Sequence, residues 1–90
     1  MLKKAIITVT GKVQGVFYRL WAKAQADELG LSGFARNDPD GTVLVVVEGE
    51  QEAIDEFIEH CRSGSDSAEV IDVRVEWSNA NGNFADFSMR

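Results

Sequence analysis

An α+β fold, with an antiparallel sheet covered on one face by two helices, is predicted by three features of this 90-residue sequence. Two stretches, 18–29 and 50–61, carry apolar residues at helical spacing. Four others, 5–10, 33–37, 42–49 and 70–77, are β-branched or alternate apolar with polar. A tight-turn signature, "DPDG" at 38–41, joins the middle pair.

In order, "AIITVT" (Ala5 to Thr10) is a β-branched run that reads as a buried strand. A glycine-containing loop leads into "YRLWAKAQADELG". There Tyr18, Trp21, Ala22, Gln25 and Leu29 share one helical face, with Leu20 and Ala24 expected to widen the stripe. Gly30 ends that helix. Gly33 to Asn37 is a short strand, and Thr42 to Gly49 is its hairpin partner across the turn. Pro39 presets φ in that turn, and Gly41 tolerates a positive φ. "EQEAIDEFIEHC" is a second amphipathic helix, with Ile54, Phe57, Ile58 and Cys61 facing inward and Glu50 and Glu52 favouring its first turn. "VIDVRVEW" alternates, placing Ile71, Val73, Val75 and Trp77 on one side. "FADFSM" adds a last short strand. The order βαββαβ plus a short C-terminal strand is the ferredoxin-like sandwich. Residues 1–90 are expected to form a single domain.

Composition narrows the function. No apolar run reaches membrane length, and the opening "MLKKAIITVTG" turns polar too early for a signal peptide, so a cytoplasmic protein is expected. The lone cysteine, Cys61, permits no internal disulfide, and with His60 it forms no metal cluster. Net charge is −6, which argues against nucleic acid as a partner. Residues 1–37 carry six basic and two acidic side chains, a net +4; residues 38–90 carry three and thirteen, a net −10. A small anionic ligand would therefore approach the N-terminal part.

"TGKVQGVFYR" raises the question of chemistry. It joins a strand to a helix through Gly11 and Gly15, and it puts Arg19 in the first helical turn, where the helix dipole disfavours a cation. The first N–H groups of a helix lack intrahelical partners and suit an anion, and glycine lets the backbone approach a phosphate. A phosphate there would give Arg19 a bidentate, charge-assisted partner. The loop has no G-K-[ST], so a metal-free phosphate cradle is the functional reading; a glycine turn with a surface arginine is the bland one. Asn37, at a strand end before the turn, is either a turn former or an amide able to hold a water molecule.

Together "VTGKVQGVFYR" (Val9 to Arg19) and "GFARNDPDGTVLVVVEG" (Gly33 to Gly49) resemble the two signatures of the acylphosphatase family, in order and at the right separation. The resemblance spans nearly the whole chain. It implies that Gln14, Gly15, Val16, Phe17 and Tyr18 cradle the substrate phosphoryl group with main-chain N–H groups. It implies that Arg19 binds the phosphoryl oxygens and that Asn37 orients the attacking water. The implied reaction is metal-independent hydrolysis of an acyl phosphate to a carboxylate and inorganic phosphate, with no cofactor. A carboxylate leaves without a general acid, and the proton of the attacking water is expected to leave through the substrate phosphate. The loop "SGSDSAEV" lacks the proline-rich character of many relatives. The expected partner is a small acyl-phosphate substrate, with no nucleic acid, no membrane and a monomeric state. Two other readings are weighed: a module that binds a phosphorylated ligand without turnover, and an RNA-binding domain of the RRM type. The third strand offers no aromatic residue for base stacking, which weakens the latter.

Overall fold

The computed structural model describes residues 2–90. The β-branched N-terminal run forms β1, Leu2–Lys12, followed by α1, Tyr18–Glu28, and β2, Ser32–Asn37. Then come β3, Val43–Glu50; α2, Gln51–Ser63; β4, Glu69–Asn79; and β5, Phe87–Met89. The sheet order is β4-β1-β3-β2-β5. β1 pairs antiparallel with β3 and β4, and β2 antiparallel with β3, whereas β5 joins β2 in parallel. The ferredoxin-like sandwich expected from the sequence is therefore formed, with one parallel pair at the edge.

Strand alternation places Ala5, Ile7 and Val9 of β1 and Val43, Val45 and Val47 of β3 on the face that the helices cover, all fully buried. Tyr18, Ala22 and Ala26 of α1 and Ile54, Phe57, Ile58 and Cys61 of α2 complete this core with Phe87. Each such valine or isoleucine contributes about 1.5–3 kcal/mol. Gly33 is where backbones come closest: a Cβ there would lie 1.8 Å from the Val46 carbonyl oxygen. α1 ends in a Schellman motif: Leu31 N–H donates to Ala26 O at 2.9 Å, and Gly30 N–H to Asp27 O at 3.2 Å, with Gly30 at φ 70°.

Two details of the sequence reading need correction. Leu20 and Ala24 do not widen the buried stripe of α1; both are exposed, and Ala26 faces the core instead. A helix lying on a sheet buries a narrow row, here residues four apart. The inward side of β4 is also less covered than expected. Val73 is buried, but Ile71 is 80% and Trp77 44% exposed. β4 is an edge strand, and a register shift against β1 at Thr10/Gly11 takes Ile71 out of the inward row, so that Val70 packs against the core in its place.

Candidate active site

The loop between β1 and α1 has an unusual backbone. Gly15 (φ 74°) and Phe17 (φ 59°) are both left-handed, and Phe17 is the one non-glycine residue with positive φ among those described. This conformation costs a non-glycine residue roughly 1–2 kcal/mol. Phe17 also stands at the N-cap of α1, with no side-chain cap bond, and its ring is 81% exposed. Neither packing nor capping accounts for the strain. Successive main-chain N–H groups in such alternating conformations are an arrangement that can bind an anion.

The first helical bond runs from Trp21 N–H to Phe17 O at 3.0 Å, so the N–H groups of Tyr18, Arg19 and Leu20 precede the helical ladder. Among the described residues, the N–H groups of Gly15, Val16 and Phe17 enter no hydrogen bond. The loop therefore presents a row of donors. Gly15 leaves open space where a Cβ would sit.

Beside this loop is a cavity of about 520 Å³ lined by Gly15, Phe17, Arg19, Leu20, Asn37 and Met89, with Val13 and Tyr18. The structure thus brings the glycine loop, Arg19 and Asn37 together. Arg19 is the cation on that wall, and among the described residues it pairs with no acidic side chain. Lys4, Lys23 and Arg36, its neighbours in the basic N-terminal part, pair with Glu48, Asp27 and Asp38. Arg19 Nη1 instead donates to the main-chain oxygen of Arg90 at 2.7 Å.

Asn37 ends β2 on the side of the sheet that faces α1. Its Oδ1 is buried and has no hydrogen-bond partner among the described residues. A turn-forming asparagine would bond its own backbone; this one does not. The turn after it is closed by other groups: Asp38 N–H donates to Thr42 O at 2.9 Å, and Asp40 Oδ1 accepts from Thr42 N–H and Oγ1–H. Those Thr42 hydrogen bonds hold the exposed Asp40 carboxyl below its ordinary range.

The other candidate residues are placed less directly. The Gln14 carboxamide turns away toward the hairpin turn, donating to Asp38 O at 2.7 Å and Thr42 O at 2.9 Å. The Val16 side chain lines a neighbouring groove beside Trp21 and Ser65. The Tyr18 hydroxyl is buried and donates to Cys61 O at 2.9 Å, and burial raises its pKa far above the usual phenol value. These three could meet a phosphoryl group only through the main chain. Sequence reasoning missed Met89 and Arg90, because nothing local marks a C-terminal strand as reaching the site.

A model of the acylphosphatase family matches residues 5–89. The chain belongs to this family. Among curated relatives, it is 47% identical over 83 residues to an acylphosphatase of Dehalococcoides mccartyi, covering 91% of each chain. Among solved structures, it superposes on the acylphosphatase from Bacillus subtilis with a TM-score of 0.92 and 36% identity, covering 100% of this chain and 99% of that one. An acylphosphatase from Coxiella burnetii gives the same TM-score at 35% identity, covering 99% and 93%. Membership makes this chain a hydrolase of acyl phosphates, and the acylphosphatase fold is the sandwich described above. No helix among the described residues is long and apolar enough to cross a membrane.

Proposed function

We propose that this acylphosphatase cleaves the carboxyl–phosphate bond by in-line attack of a water oriented by Asn37, without a metal. The phosphoryl group is held by Arg19 and by the main-chain N–H groups of the loop from Gln14 to Tyr18. The observation that carries this reading is that Asn37, whose buried Oδ1 has no partner among the described residues, lines the same cavity as Gly15, Phe17 and Arg19. A buried acceptor without a partner costs about 1–3 kcal/mol, and a water held there for attack would satisfy it.

The chemistry matches that equipment. Phosphoryl transfer asks mainly for positioning and for stabilisation of charge on the equatorial oxygens. Arg19 and the preset dipoles supply the second, and Asn37 supplies the first. The carboxylate leaves without protonation, so no general acid is needed. Among the described residues, the cavity wall offers cationic, amide and main-chain donors but no carboxylate or imidazole, which favours an anion over a divalent cation. The same wall offers no strong base, in keeping with the substrate phosphate accepting the water's proton. His60 lies on α2, 3.7 Å from Glu56.

Hydrolysis in ¹⁸O-labelled water tests the attack. Label found in inorganic phosphate is the predicted result; label in the carboxylate would place the attack at carbon and remove Asn37 from the role given to it. We further read residues 1–90 as one domain acting as a cytoplasmic monomer on small acyl phosphates, with no nucleic-acid partner; the net charge of −6 supports the last point.

A further inference from the structure

The cradle and the water-orienting amide stand on separate parts of the chain. Gly15 and Phe17 belong to the loop after β1, and Asn37 belongs to the end of β2. In-line attack requires the two to be held at a fixed spacing, and a misplacement of about 1 Å costs on the order of 100-fold in rate. β1 and β2 are not neighbours in the sheet, because β3 lies between them. No ladder hydrogen bond links the two site segments.

One side chain makes that link. Gln14 Nε2 donates to Asp38 O at 2.7 Å and to Thr42 O at 2.9 Å, spanning 24 and 28 residues. Asp38 directly follows Asn37. Thr42 closes the same turn, accepting from Asp38 N–H at 2.9 Å as well. The Gln14 amide thus uses both its N–H bonds on the two ends of the turn that carries Asn37, while its own backbone begins the glycine loop.

We infer that the Gln14 carboxamide is a positioning residue for the reaction, setting the spacing between the phosphate cradle and the Asn37-held water. This rests on the proposed role of Asn37. The carboxamide supplies two donors from one nitrogen without bringing a charge. Glutamate at 14 keeps the shape but turns a carboxylate on two carbonyl oxygens, and alanine removes the link.

The test is a double-mutant cycle with benzoyl phosphate as substrate and inorganic phosphate as inhibitor, using Gln14→Ala, Gln14→Glu, Asn37→Ala and Gln14→Ala/Asn37→Ala. Thermal melts confirm that each variant is folded at the assay temperature. Each Gln14 variant is expected to lose about 10- to 100-fold in kcat, with the phosphate inhibition constant changed less than about 3-fold. In the Asn37→Ala background, the Gln14→Ala change should cost almost nothing more. Additive losses would overturn the inference, since Gln14 would then act independently of Asn37. So would loss of stability with kcat unchanged, which would make the link merely structural. If Asn37→Ala itself keeps full turnover, the Asn37 role fails first and the inference falls with it. Should Gln14→Ala not fold, the isosteric Gln14→Glu carries the same kcat test.

Discussion

The Arg19 guanidinium donates to the main-chain oxygen of Arg90 at 2.7 Å, and the Arg90 guanidinium lies 4.1 Å from the centre of the Phe34 ring. Arg90 N–H also donates to Ala35 O at 2.8 Å, continuing the β5–β2 pairing. The residue that places the cavity's cation is therefore itself fixed by a stack and a ladder bond. Arg90→Ala keeps the main-chain oxygen but removes the stack, worth about 0.5–1 kcal/mol at an exposed site. Loosening of the terminal strand should raise the KM for acyl phosphate several-fold more than it lowers kcat. Steady-state kinetics decide it; an unchanged KM would show that Arg90 does not steady Arg19.

Phe17 separates strain from function. Its left-handed backbone is released by Phe17→Gly, and its exposed ring contributes little to the core. Thermal unfolding should show the variant stabilised by about 1 kcal/mol. Substrate affinity should fall, because the ring walls the cavity mouth. A lower melting temperature would mean that the ring supports the loop from within.

Asn37→Ala should behave the same way for a different reason. It removes a buried acceptor that has no partner, so stability should hold or rise, by at most about 1–3 kcal/mol. Turnover should fall about 100-fold with little change in phosphate binding. Equal losses in both would move Asn37 from the water to the ligand.

Cys61 gives a pH prediction. Burial pushes its thiol from 9.0 up to about 12. The folded state therefore holds the proton that the unfolded state releases. The resulting stability is fully present below pH 9 and is lost as pH rises toward about 12. At pH 8 a thiol reagent should label Cys61 only on unfolding. Rapid labelling of the folded protein would contradict the burial described here.

Much of this was legible in the sequence because the strongest signals are local. Turn chemistry at Asp38–Gly41, the glycine end of α1 and the periodicity of α2 each fix an element through nearby residues. Arg19 stood out because a cation in a first helical turn is locally odd; Asn37 read as well as a turn former, and only the family resemblance gave it a role. What stayed hidden depends on the assembled sheet. The exposure of Ile71 follows from the register shift between β1 and β4, and that of Trp77 from the place of β4 at the sheet edge. The parallel pairing of β5 with β2 brings Met89 and Arg90 to the site, and no short stretch encodes that approach. The Gln14 contacts, 24 and 28 residues away, are equally non-local.

The central claim, that Arg19 starts α1 because a phosphoryl group belongs in front of it, is tested most directly by hydrolysis of benzoyl phosphate with chelator present. Wild type should turn over rapidly. Arg19→Ala should lose at least about 100- to 1,000-fold while its melting temperature shifts by less than about 5 °C. An Arg19→Ala variant that retains wild-type turnover, or a wild type silenced by the chelator, would contradict the account.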